Sequence, residues 1–165
     1  MAYSNTVRSL RDGSITVSDG SVSAKTCTAP CMKGDLKWDI AQDYKEVLCR
    51  GVPTGWRKGN KVPCKFTFSA HMTQLIQKTA ASADPVSLYE ILTNQGSFFT
   101  TTSSGAGSVY SLDMTFTIAS PAGTSDEIVQ FDDCVFTKIS CAEGDENQIQ
   151  VEGMCLAEKP TVTRD

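Results

Sequence analysis

IVQFDDCVFTKISCAEGDENQIQVEGMCLA, residues 128–157, is the stretch that decides the fold. Its first half, Ile128–Ser140, is dense in β-formers: Val129, Phe131, Val135, Phe136 and Ile139. Its second half, Gln148–Ala157, alternates. Ile149, Val151, Gly153, Cys155 and Ala157 fall on one side, and Gln148, Gln150, Glu152 and Met154 on the other. Period-two alternation is the signature of a strand with one buried face. Between the halves, Glu143-Gly144-Asp145-Glu146-Asn147 supplies the Gly and Asx residues that reverse a chain. The stretch therefore reads as a closing β-hairpin.

Working outward, the same alternation recurs. Tyr110, Leu112, Met114, Phe116 and Ile118 line one face of a strand, with Ser111, Asp113, Thr115 and Thr117 on the other. Pro121-Ala122-Gly123 turns that strand into the closing hairpin. Upstream, Val62–Met72 sets Val62, Cys64, Phe66, Phe68, Ala70 and Met72 against Pro63, Lys65, Thr67, Ser69 and His71. Leu10–Val17 reads as a strand, with Asp19-Gly20 as a hairpin turn into Ser21–Thr26. Thr28–Gly34 reads as loop, and Leu36, Trp38 and Ile40 as alternate positions of another strand. Residues 42–61 contain Gly51, Pro53, Gly55 and Gly59 but also Tyr44, Val47, Leu48, Val52 and Trp56, which points to a long projecting loop or hairpin. One short helix is expected over Pro85–Gln95, with Asp84 as its N-cap, Pro85 at its first position and Gly96 as its stop. Thr73–Ala81 is compatible with further helix, and Phe98–Ser108 reads as a Thr/Ser/Gly loop. The count is six to eight strands and one helix with no βαβ rhythm. The expected fold is mainly β: an antiparallel β-sandwich or half-barrel with one short flanking α-helix.

Length allows one domain over residues 1–165, with an N-terminal arm (about 1–9) and the projecting loop (about 42–61). With 40% hydrophobic and 21% charged residues the chain has an ordinary globular composition. A net charge of −4 argues against a general nucleic-acid binder, though not against a wall that nucleic acid slides past. The polar start, Met1–Thr6, has no apolar signal core, and no run approaches a membrane span. The expectation is a chain that stays where it is made or leaves as part of something larger.

Seven cysteines (Cys27, Cys31, Cys49, Cys64, Cys134, Cys141 and Cys155) are many for this length. The odd number leaves at least one free or paired between chains. Buried reduced thiols are the plain reading, and disulfides formed after release into an oxidising medium the alternative. Zinc is not expected, because Cys27 and Cys31 lack a second close pair and His71 is the sole histidine. No catalytic constellation is present: His71 has no partners for a triad, and adjacent Asp132 and Asp133 point to opposite faces of a strand unless a bulge intervenes. No phosphate-binding glycine loop is present and no cofactor is expected. The turn at Asp145-Glu146-Asn147 is too short for a calcium loop.

Interaction remains, and two features bear on it. The polar strand faces carry short hydroxyls (Thr67, Ser69, Ser111, Thr115, Thr117), suited to a channel wall or a subunit contact as much as to open solvent. Charge is also segregated. Lys45, Arg50, Arg57, Lys58, Lys61 and Lys65 make one region basic. Asp126, Glu127, Asp132, Asp133, Glu143, Asp145, Glu146 and Glu152 make another acidic against Lys138 alone. Placed at opposite ends of the domain, the two favour head-to-tail association, which generates rings or filaments.

The order and texture of these elements resemble the tail tube (major tail) proteins of long-tailed bacteriophages. The likeness rests on Asp12-Gly13-Ser14-Ile15-Thr16-Val17, Arg50-Gly51 and Gly55-Trp56 in the long loop, Val62–Met72 followed by the single helix, and Tyr110–Ile118 before the hairpin turning at Glu143-Gly144-Asp145. It implies hexameric rings in which each subunit lends a sheet to a shared inner β-barrel. The rings stack into a tube through which double-stranded DNA passes without specific binding. It further implies a virion tail assembled in the host cytoplasm, partnered by itself and by other tail proteins, with no enzyme activity and no membrane binding. On that reading Lys65, Thr67, Ser69, Asp113, Thr115 and Thr117 are candidates to face the lumen, with Lys65 fitting only if paired with a carboxylate or placed at the rim. Arg50, Trp56, Arg57, Lys58, Lys61, Glu143, Asp145 and Glu146 are candidates for the subunit and ring interfaces. The many cysteines depart from the family pattern and raise inter-subunit disulfides. The alternatives are another ring-forming virion component (connector, tail terminator or decoration protein) or a disulfide-stabilised β-sandwich binding module.

Overall fold

The structure is a computed structural model, described here over residues 13–29, 35–72, 86–95, 99–104, 107–119, 125–144 and 147–164. Ten strands and one helix occur among these residues. In chain order they are β1 (Gly13–Ser18), β2 (Thr26–Ala29), β3 (Lys37–Asp39), β4 (Tyr44–Cys49), β5 (Val52–Lys58), β6 (Cys64–His71), α1 (Leu88–Thr93), β7 (Leu112–Ile118), β8 (Glu127–Ala142), β9 (Gln148–Cys155) and β10 (Thr161–Arg164). The strands β2-β1-β7-β8-β9-β6-β3 form one antiparallel sheet in that order. β10 adds to β8, and β4 and β5 make a separate hairpin.

Alternation decides which face is buried. β6 buries Cys64, Phe66, Phe68 and Ala70, β7 buries Leu112, Met114, Phe116 and Ile118, and β9 buries Ile149, Val151, Gly153 and Cys155. Ring contacts show that the sheet curls around this face. Trp38 on β3 meets Phe131 on β8 edge-on, with centroids 6.0 Å apart, and Phe66 on β6 lies 5.7 Å from Phe131. Three strand spacings separate β3 from β8, about 14 Å if the sheet were flat. The contact therefore requires a half-barrel. Gly153 marks the tightest point: a Cβ there would lie 2.6 Å from Cζ of Phe66 and 2.8 Å from the Val135 carbonyl oxygen. Phe66 and Phe136 pack edge-to-face at 5.7 Å, in register with Gly153 on either side.

The 16-residue β8 joins two neighbourhoods. Residues 127–134 pair with β7, while 134–142 pair with β9 on the other flank; β10 shares that second flank at 127–130. Bulges break its register opposite Leu112–Met114 and at Phe136–Lys138.

Helix α1 closes the core with Leu88, Ile91 and Leu92. Its N-cap is Ser87, not Asp84. The Ser87 hydroxyl accepts from Glu90 N–H at 3.1 Å, and the Glu90 carboxylate accepts from Ser87 N–H at 3.1 Å, a complete capping box. Asn94, left-handed at φ 50°, ends the helix ahead of Gly96. Tyr110 Oη donates to the Ile91 carbonyl at 2.6 Å and ties α1 to the start of β7.

Three local readings change. Residues 21–25 are not strand, because the buried Asp19 carboxylate gathers the N–H of Lys25 (2.6 Å) and the hydroxyl of Ser21 (2.7 Å) into a loop. Thr28 and Ala29 belong to β2 rather than to a loop. β10 carried no expectation at all. The arm at 1–9, Asp12, residues 30–34, Thr73–Pro85, Gly96, the turn at 121–123, Asp145 and Glu146 lie outside the described residues.

Candidate assembly surfaces

The segment at 42–61 is a projecting hairpin. Arg50 (φ 52°) and Gly51 (φ 81°) both adopt left-handed backbone, as a two-residue turn between twisted strands demands. Every residue of β4 and β5 is exposed. Register mixes charge and apolar groups on both faces of the hairpin. Tyr44, Glu46, Leu48, Trp56 and Lys58 share one, where Tyr44 and Trp56 line an open apolar groove. Lys45, Val47, Cys49, Val52 and Arg57 share the other. The base is fixed: Gly59 N–H donates to the Asp43 carbonyl (2.7 Å), Asn60 N–H to its carboxylate (2.8 Å), and Lys58 Nζ to Glu158 Oε2 (2.5 Å). A lone two-stranded hairpin is at best marginally stable in water. Yet this one presents Trp56 at 74% exposure and Val52 at 62%. Tyr44, Val47, Leu48, Val52 and Trp56 are all exposed large hydrophobics on this one hairpin.

The basic hairpin and the acidic turn occupy opposite ends of the sheet. β5 leads into the start of β6 at Cys64, whereas the β8–β9 turn, with exposed Glu143, lies at the other end, where His71 pairs with Gln148. The seven residue steps from Cys64 to His71 span about 23 Å. Arg50, Trp56, Arg57, Lys58 and Lys61 thus cluster at one end and Glu143 at the other. Asp145 and Glu146 lie outside the described residues.

The outward face of the sheet divides into two textures. Across β2, β1, β7, β8 and β10 a single register row reads Thr28, Thr16, Thr115, Gln130, Thr161, without one charge. Thr16 and Thr28 hydroxyls lie 3.2 Å apart. The neighbouring row holds Ser14 and Thr117. Across β3, β6, β9 and β8 the texture is charged: Lys37, Thr67, Glu152 and Lys138 form one row, closed by a Lys138–Glu152 pair at 2.9 Å. Lys65 is directly opposite Asp39. The β6 candidates (Lys65, Thr67, Ser69) and the β7 candidates (Asp113, Thr115, Thr117) therefore have two strands, β8 and β9, between them on a curled sheet and form separate stripes. The partners Thr16, Thr28, Gln130 and Thr161 were not singled out from sequence; their alternation held the signal.

Asp113 is at the edge of the hydroxyl stripe, where a bulge at Asp133 (φ 50°) intervenes. Asp113 Oδ1 accepts from Asp133 N–H at 3.0 Å, and the Thr102 hydroxyl donates to Asp133 Oδ1 at 2.9 Å. Burial, with Asp132 and Asp133 nearby, pushes the Asp113 carboxyl above its ordinary range despite the hydrogen bonds it accepts. Ser111 does not join this face: the strap 99–104 buries it, with the Thr102 hydroxyl 2.9 Å from its hydroxyl and Ser103 N–H donating to that hydroxyl at 2.9 Å. Beyond β3, the Asp35 carboxylate accepts Ser69 N–H at 3.1 Å and closes the next donor on the β6 edge.

Among the described residues no group of three or more His, Cys, Asp or Glu side chains is placed to hold a metal ion, and no helix is long and apolar enough to cross a membrane. Cys49 and Cys141 are exposed, while Cys27, Cys64, Cys134 and Cys155 are buried thiols.

No protein-family model and no curated protein matches the sequence. Solved structures do match the fold. The chain is similar to the tube-terminating cap of the anti-feeding prophage, with TM-score 0.59 and 15% identity over 100% of this chain and 94% of that one. It is equally similar to a chain of the PVC sheath/tube terminator of an extracellular contractile injection system, with TM-score 0.60 and 14% identity over 99% of both chains. A chain of the PVC sheath-tube complex follows, with TM-score 0.51 and 16% identity over 92% of this chain and 87% of that one. The chain thus shares its overall fold, over nearly its whole length, with chains of the anti-feeding prophage cap and PVC sheath/tube terminator structures.

Proposed function

We propose that this chain is a structural component of a phage-tail-like particle, and that it closes into a ring terminating the tube. The observation that carries the reading is the full-length correspondence with two terminator or cap structures, which leaves almost none of either chain unaccounted for. The surfaces suit a ring seated on another ring. The hairpin offers an apolar, basic projection at one end, an acidic turn occupies the other, and the uncharged hydroxyl row suits a wall facing a channel. Fixed cations on such a wall would bind phosphates and retard nucleic acid, and the Thr28–Thr161 row has none. Six copies per ring, and DNA as the cargo, follow from the tail-tube resemblance and belong to this proposal. Its partners would be further copies and the tube and sheath subunits of the same particle.

A second reading is the tube subunit itself, favoured by the two-ended charge separation, because complementary ends that do not close generate open stacks. Negative-stain electron microscopy of the purified protein, alone and added to growing tubes of the same particle, separates the two. Closed rings of one size that seat on tube ends and stop elongation are expected. Open tubes from the protein alone would instead establish the tube-subunit reading. Monomers that neither close nor seat on tube ends would overturn both.

A further inference from the structure

Cys64, Cys155 and Cys134 stand in one register row across β6, β9 and β8, all on the buried face and all 0% exposed. Directly opposed residues of antiparallel strands have Cα atoms about 4.5–5.5 Å apart, within the span a disulfide bridges. The Cys64 thiol donates to the Lys65 carbonyl at 3.8 Å and the Cys155 thiol to the Ala157 carbonyl at 3.5 Å, both main-chain partners beside the pair. Their positions in the strands differ from that of Cys134. Cys64 opens β6 and Cys155 closes β9, so the pair forms the last rung of that ladder, followed by the Cys64 N–H to Ala157 carbonyl bond at 3.0 Å. Cys134 lies inside β8, paired on both flanks with Leu112 and Cys155, and its thiol donates to the Phe131 carbonyl at 3.3 Å.

We propose that Cys64 and Cys155 are an intrachain disulfide site, formed by thiol–disulfide exchange with a low-molecular-weight disulfide when the particle meets an oxidising medium. Opening of the terminal rung exposes one thiolate, which attacks a sulfur of the small disulfide and releases one thiolate leaving group. The second cysteine sulfur then attacks the protein sulfur of the mixed disulfide and releases the other. Both cysteine protons end on the two released small thiols, and the two electrons leave with them. Burial and the neighbouring thiol push Cys64 up to about 11, and burial raises Cys155, so exchange is slow near neutral pH and quickens as pH rises. The bridge would lock the end of the sheet from which the hairpin projects, beside the Lys58–Glu158 pair. The inference stands independently of the assembly role and replaces inter-subunit bridging by these two buried cysteines with a bond inside one chain.

The test uses the full chain with the exposed Cys49 and Cys141 changed to Ser. Reduced protein is incubated with oxidised glutathione, free thiols are alkylated under denaturing conditions, and the digest is mapped by mass spectrometry. A Cys64–Cys155 linked peptide is expected, with a thermal midpoint raised by about 5–15 °C for a loop of this length and reversed by reductant. Cys134→Ala keeps the linkage and the shift. Cys64→Ala and Cys155→Ala each abolish both, and either one alone suffices should the other fold poorly. Full alkylation of both cysteines after oxidation, a bridge through Cys134 instead, or glutathione adducts without a bridge would each overturn the proposal.

Discussion

Trp56→Ala is the substitution on which the assembly reading depends most directly. Trp56 is 74% exposed on a hairpin held to the body at its base through Asp43–Asn60 and Lys58–Glu158. A Trp side chain offers about 150–250 Å² to a partner, so roughly 150 Å² remains open here. Covering that area at about 25 cal/mol per Å² contributes about 3–4 kcal/mol to each subunit contact. Alanine should therefore raise the concentration needed for ring formation or tube-end seating by about 100- to 1,000-fold. The isolated chain should melt within about 2 °C of wild type, because an exposed residue loses little on truncation. Sedimentation velocity across a concentration series reads the first quantity and differential scanning fluorimetry the second. A variant that assembles normally, or one that loses several degrees in its melting midpoint, would refute the reasoning and return the hairpin to the body of the fold.

Three further outcomes follow from the geometry. Reversing Arg57 and Lys58 to Glu should abolish association at low ionic strength while leaving the wild-type protein increasingly similar to it as salt rises; unchanged assembly at low salt would remove charge from the explanation. Burial alone would raise the Asp19 carboxyl, but hydrogen bonds from Ser21, Lys25 and Thr100 outweigh it and hold the group below its ordinary range. Its stabilisation is thus present above the unfolded carboxylate value and is lost as pH falls through the lower folded one, so Asp19→Asn should cost about 1–3 kcal/mol at pH 7 in denaturant titration and flatten the acid limb of stability. Gly153→Ala should cost about 1–3 kcal/mol, since the new methyl meets Phe66 and the Val135 carbonyl oxygen inside 3 Å; wild-type stability would show that the strands slide apart freely there.

What the sequence revealed and what it hid have physical reasons. The strands β6, β7 and β9 were legible because each is half-buried along its length, so burial writes period two into the residues. The helix was placed correctly, but its start was not. Asp84-Pro85 is a good opening, yet Ser87 and Glu90 satisfy each other's backbone donors reciprocally, and that stronger cap sets the boundary. β2 and β10 are four residues each, too short for a pattern to rise above their neighbours. Ser111 shares the parity of Asp113 and was assigned to the open face, but the strap at 99–104, distant in sequence, covers it. Asp133 shows the same limit within one strand: the sequence leaves a bulge at Asp132-Asp133 open, but only the structure shows the left-handed residue that shifts the ladder there. The two outer stripes were invisible for a related reason, since only strand order separates β6 from β7.

One consequence of β8 belongs to mechanics. Its first half is bonded to β7 and β10 and its second to β9, with Cys134 paired on both flanks at the junction. A pull along the strand axis that enters through β9 and leaves through β7 shears both ladders of this one strand. The backbone bonds then lie across the pull and resist it in parallel rather than one after another, so rupture demands many of them to fail at once. A continuous strand spanning both neighbourhoods lets the domain deform as one body instead of tearing at a seam.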